Sequence, residues 1–161
     1  MIRYWLLGAL LLLAGCASQA PLPAEQVHLA LPLQLHVERQ QQQQSQDWLL
    51  VIQQEGPALR WSLLDLLGIP QARQRLAGGA WQADGLLPPN PEARELFAAV
   101  LFALTPAQHL ASNYPDAREV GQQRQLGERW AVDYGQPGTF TLRLGQGLQY
   151  RVSPLPSETP P

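Results

Sequence analysis

The residues of this 161-residue chain whose types suggest chemistry are one thiol, Cys16, and three imidazoles, His28, His36 and His109. Metal sites and nucleophilic centres need partners at fixed spacing, and the histidines lack the i, i+4 spacing that places two ligands on one helix face. His28, His36 and Glu38 fall on one side of a predicted first strand, where His36 and Glu38 could meet. That side is the polar one and is expected to be solvated. The sequence contains neither a Gly-x-Ser-x-Gly elbow nor a phosphate-cradling glycine loop. A single cysteine allows no intramolecular disulfide and no multi-cysteine metal site. The expectation is a non-enzymatic protein without metal or cofactor. Asp65, set in an apolar run, reads as an acceptor for turn amides near Gly68.

The position of Cys16 carries more information than its type. Residues 1–3 bring one positive charge and residues 4–13 form an apolar run too short to span a bilayer, which is the order of a signal peptide. Leu13, Ala14, Gly15 and Cys16 resemble the lipobox of bacterial lipoproteins, in which the cysteine thiol receives a diacylglyceryl group. The resemblance implies cleavage after residue 15 and a lipid anchor on Cys16. Acyl chains suffice for anchoring, at about 0.8 kcal/mol per buried methylene. Ala17 and Ser18 stand where an aspartate would imply retention at the inner membrane. The chain is therefore expected to face the periplasm from the outer membrane.

Roughly 145 residues would remain, the size of one domain. The sequence holds 11 Lys+Arg, all of them arginine, against 13 Asp+Glu, for a net charge of -2. No basic patch of the kind that binds nucleic acid is present in the sequence. Residues 16–25 read as a lipidated flexible tether, residues 26–153 as the domain and residues 154–161 as a disordered proline-rich tail.

Within the domain, apolar residues alternate from Val27 to Val37, the period of a strand with one buried face, and Pro32 implies an edge or a break. The glutamine-rich stretch at 40–44 caps a hairpin. Strands follow at 47–53, 58–66, 71–77 and 80–83, separated by glycine turns. Asn90 and Pro91 open a helix over 91–104 that is apolar almost all round, hence buried on most sides. Thr105, Pro106 and Gln108 suggest a capping box that opens a second short helix. Strands return at 119–125, 128–134, 139–144 and 148–152. The fold class is α+β, mainly β.

This order of elements resembles the LolA/LolB fold of lipoprotein carriers, a strongly curved antiparallel sheet or half-barrel with a helical insertion in its concave face. The stretches 63–70 and 96–114 more specifically resemble an uncharacterised family of proteobacterial lipoproteins near the LolB-like group, often encoded beside aryl polyene lipid synthesis genes. The resemblance implies a monomeric outer-membrane acceptor whose partners are a membrane and the acyl chain of a lipid or lipoprotein, held in an apolar cavity. Leu33, Leu35, Leu50, Trp61 and Leu63 would line it from the first strands. Phe97, Leu101 and Phe102 would line it from the helix, and Trp130, Phe140 and Leu142 from the last strands. By type and spacing alone the same residues are those of a solid core, which would suit a structural or assembly lipoprotein that docks a protein partner. The resemblance also offers Leu67 and Ile69, beside Leu66, as a turn that touches membrane, although apolar residues at a turn are by type expected to pack inward.

Overall fold

A computed structural model describes residues 19–155. The fold is mainly β, one antiparallel sheet of ten strands in the order β5-β4-β3-β2-β1-β10-β9-β8-β7-β6. Its first half is a meander of β1 (Leu33–Gln41), β2 (Gln44–Glu55), β3 (Ala58–Asp65), β4 (Pro70–Ala77) and β5 (Ala80–Ala83). The chain then crosses as helix α1 (Pro91–Leu104), a 3-10 turn (Ala107–His109) and the short helix α2 (Leu110–Asn113). The second meander runs back through β6 (Ala117–Val120), β7 (Gln123–Leu126), β8 (Trp130–Tyr134), β9 (Phe140–Arg143) and β10 (Gln149–Pro154). The halves join where β1 pairs antiparallel with β10, and β5 and β6 remain as the two edges.

Helix α1 bridges those edges and lies inside the sheet. The Asn90 side chain accepts from the Ala93 amide and proline fills a first helical position, as the sequence predicts. From Leu96 through Ala103 every residue is buried, so the helix touches protein all round. Phe97 meets Trp61 and Trp81 of the first half, at ring centroid separations of 5.5 and 5.9 Å. Phe102 meets Trp130 of the second half at 5.6 Å. Each such fully buried side chain contributes about 1.5–3 kcal/mol of transfer free energy.

Several elements differ from the sequence reading. The alternation at 27–37 becomes a strand only from Leu33, because Pro32, which follows a cis peptide bond, has no amide hydrogen to give a neighbour. β1 is nevertheless central, paired on both sides. The glutamine stretch is mostly strand, and its turn is just Gln42 and Gln43, both at positive φ. The stretch at 119–125 splits into β6 and β7 at Gly121, whose φ of 60° provides the left-handed turn that the pattern hides. Thr105 does not open the second helix. Its hydroxyl donates to the Leu101 carbonyl at 2.8 Å and closes the first.

Residues 19–27, read as tether for most of their length, pack against the domain. Ala20 packs against the core and Val27 is buried within it. The amides of Ala24 and Glu25 donate to the main-chain and side-chain oxygens of Asn113, at 3.2 and 2.8 Å. This strap shares surface clefts with Gly79, Ala80 and Trp81 near one sheet edge and with Leu126 and Gly127 near the other. It therefore lies along the open seam. Pro154 belongs to β10, and the Leu155 amide donates to the Gln34 carbonyl at 3.1 Å.

Candidate functional site

The β3–β4 turn is built by one carboxylate. Asp65 Oδ1 accepts from the amides of Leu67 and Ile69, both at 2.9 Å. Its own amide donates to the Ile69 carbonyl at 3.0 Å, and the Gly68 amide returns to the Asp65 carbonyl at 2.9 Å. Gln71 Nε2 adds bonds to Asp65 Oδ2 and the Ile69 carbonyl. Gly68 sits at φ 79°, which a side chain would strain although open space surrounds it. Asp65 thus has the role its type and place predict.

What the turn displays corrects the inward-facing expectation. Leu66, Leu67 and Ile69 are 72, 85 and 53% exposed. The reason is the level at which the helix begins: Leu63 and Gln71 share a cleft wall with Asn90, Glu92 and Ala93 at the start of α1. Residues 66–69 lie beyond that level, where α1 offers nothing to pack against. A hydrogen-bonded turn holds the three apolar side chains in water.

The interior candidates come together, in one core. Leu35, Leu50, Trp61, Leu63, Phe97, Leu101, Phe102, Trp130, Phe140 and Leu142 are all buried in it, and Leu33 packs partly buried against it. They enclose α1 rather than a void. Clefts open beneath the strap. One cleft of about 320 Å³ lies between the strap at 22–27 and Leu59, Leu76 and Leu101. A second, of about 410 Å³, lies between the strap at 19–22 and Trp81, Pro91 and Arg94. The two share Leu22 and Gly79.

Polar side chains clasp the helix at both ends, and sequence reasoning missed them. At its start, Arg39 Nε donates to Glu92 Oε1 at 2.6 Å and the Tyr150 hydroxyl donates to the same oxygen at 2.8 Å. The bond from Arg39 holds the Glu92 carboxyl below its ordinary range, and burial pushes the Tyr150 hydroxyl up. One turn on, Arg129 grips Glu95 with two bonds of 2.7 Å and Trp130 Nε1 adds a third. Burial pushes the Glu95 carboxyl up, but Arg129 and Trp130 outweigh it and the net shift is downward. At the far end the buried Arg124 donates to the carbonyls of Phe102 and Thr105, at 2.9 and 2.7 Å, while pairing with Glu119. A cation there satisfies carbonyls that every helix leaves orphaned. In sequence Arg124 looks like any strand cation; its one signal is its position opposite a helix with no basic residue in its own last turn.

The histidines do not converge. His36 Nε2 lies 2.7 Å from Asp47 Oδ1 on the neighbouring strand, exposed, and not against Glu38. His28 precedes the strand and is exposed, and His109 Nε2 meets Gln108 at 3.1 Å. Among the described residues no cluster of three or more His, Cys, Asp or Glu could hold a metal, and no helix is long and apolar enough to cross a membrane. Cys16 and the signal segment lie outside the described residues. Compared with protein families and with curated proteins, the chain matches none.

Proposed function

We propose that this chain is a non-enzymatic lipoprotein of LolB-like architecture, anchored through Cys16 to the outer membrane, that receives acyl chains of a lipid or lipoprotein at the leaflet surface. The observation that carries the reading is the rigid apolar turn. Three large apolar side chains held in water by a dedicated carboxylate fit a surface meant to meet hydrocarbon. Gln19 borders a cleft with Pro91, Arg94 and Glu95 in the first turns of α1, the end of the helix beyond which the turn projects. The seam clefts beneath the strap, rather than the filled interior, are the place for an incoming chain. In a liposome transfer assay the double variant Leu67→Glu, Ile69→Glu is expected to lose lipid transfer while its stability moves by less than about 0.5 kcal/mol. Unchanged transfer by the folded double variant removes the reading.

A second reading, an assembly lipoprotein that docks a protein partner, is favoured by the way α1 fills the concave face. Native mass spectrometry separates the two. Lipid retained by the protein supports the acceptor, and ligand-free protein supports the scaffold.

A further inference from the structure

Five arginines among the described residues have carboxylate partners. Arg39 pairs with Glu92, Arg60 with Glu55 and Asp84, Arg124 with Glu119, Arg129 with Glu95 and Arg143 with Asp133. Arg73 and Arg75 on β4 have no ion pair or hydrogen bond among the described residues, and their Nε atoms are shielded from solvent without a partner. A half-buried guanidinium left without an anion is an unmet interaction.

Their place gives that surplus a direction. Arg73 and Arg75 occupy alternate positions of β4, opposite Ser62 and Arg60, hence one face of the sheet; Gln71, at the bulge where the β3–β4 register shifts, is not part of that row. Ala72 and Gln74 are buried on the other face, Gln74 accepting from Arg94 of α1 at 3.0 Å. The two arginines therefore stand on the convex face, on the strand that leaves the apolar turn. At about 3.3 Å per strand residue, Arg73 stands about 10 Å along β4 from Pro70. Apolar surfaces that enter a bilayer bury to about 5–10 Å, at the boundary of headgroups and acyl chains. Glu55 and Asp84 pair with Arg60, on the neighbouring strand β3, and Asp65 accepts from the turn amides.

We infer that Arg73 and Arg75 form a binding surface for the phosphate groups of lipid headgroups, engaged when the 66–69 turn enters the leaflet. The inference rests on the membrane-contact part of the proposed function and adds its ligand chemistry. Paired N–H donors of a guanidinium match phosphate oxygens, and the convex face presents two such groups beside an apolar tip.

The test is vesicle sedimentation of the mature chain, residues 16–161, carrying Cys16→Ser, so that binding reports the protein surface and not the acyl anchor. A cooperative unfolding transition verifies that each variant folds. Vesicles are phosphatidylcholine alone or phosphatidylcholine with phosphatidylglycerol. The parent protein is expected to bind the anionic vesicles more tightly, and less so as salt rises. Each basic residue at such a surface is worth about 1 kcal/mol, so Arg73→Gln with Arg75→Gln weakens that binding about 30-fold. Lysine at both positions, which keeps the charge but not the paired donors, retains only part of it. Parent-like binding and salt dependence in the glutamine variant overturn the inference. If Leu67→Glu, Ile69→Glu loses binding while the glutamine variant keeps it, the inference alone falls. If the glutamine variant loses binding while the turn variant keeps it, the apolar contact falls and the phosphate surface stands.

Discussion

Two hairpins of this sheet carry arginines and use them in opposite ways. In the β7–β8 hairpin, Arg124 and Arg129 turn toward α1, where they cover helix carbonyls and hold Glu95. In the β3–β4 hairpin, Arg73 and Arg75 turn away from α1 and hold nothing. The apolar residues show a similar contrast. Trp130, entering β8, is buried against Phe102, while Leu66, Leu67 and Ile69 between β3 and β4 stand in water. A strand has two faces, and the helix occupies one of them. The same residue type therefore closes the fold on one hairpin and opens a surface on the other.

The sharpest way to break this contrast is to remove one arginine from each hairpin. Arg124→Met leaves the buried Thr105 carbonyl without that donor, leaves the Phe102 carbonyl with the Thr105 amide at 3.3 Å, and leaves Glu119 unpaired. It is expected to lower stability by about 3 kcal/mol in denaturant titration. Arg73→Met is expected to change it by less than about 0.5 kcal/mol. Equal losses from the two substitutions would erase the distinction.

The clasp on Glu95 has a signature in acid. Its folded-state carboxyl titrates below the ordinary value near 4.5, so the stability it confers is fully present above that value. The contribution is lost as pH falls below it and through the folded value. Glu92, also shifted downward, adds in the same window. Glu95→Gln is expected to cost about 1.5 kcal/mol at neutral pH, the partly exposed pair being screened by solvent. It should also flatten the fall in stability on the acid side of pH 4.5. A variant whose stability falls in acid as steeply as the parent's would show that the clasp is not what titrates.

The two hairpins were unequally legible in sequence, for physical reasons. Alternation placed the strands of the first meander, and Asn90 with Pro91 placed α1 to the residue, because periods and caps are local signals. The turn at Gly121 lay inside a continuous polar run and left no periodic break. Nor could the direction of an arginine be read: whether it faces a helix carbonyl depends on which sheet face the helix covers, a tertiary fact. Apolar type misjudged the 66–69 turn for the same reason. Type predicts burial only where something exists to bury against, and the low start of α1 leaves nothing there. The apolar residues proposed as cavity lining lie in one core cluster, and their pattern could not show that the helix packs between them.

A small effect on stability is expected at Asp65, and it isolates what holds the exposed turn. In Asp65→Ala the Leu67 and Ile69 amides lose their acceptor, but the turn is open to water, which replaces most of the lost bonding. The global cost should stay under about 1 kcal/mol. The local effect is larger in kind, because a turn without its carboxylate samples other conformations. Amide hydrogen exchange at 67 and 69 should quicken about fivefold or more, while amides of α1 stay protected. Vesicle binding should weaken with the apolar side chains unchanged, since a mobile turn must be ordered before it can insert. If exchange at the turn quickens and binding is unaffected, the three side chains engage the leaflet without being held. Asp65 would then serve the hairpin and not the surface.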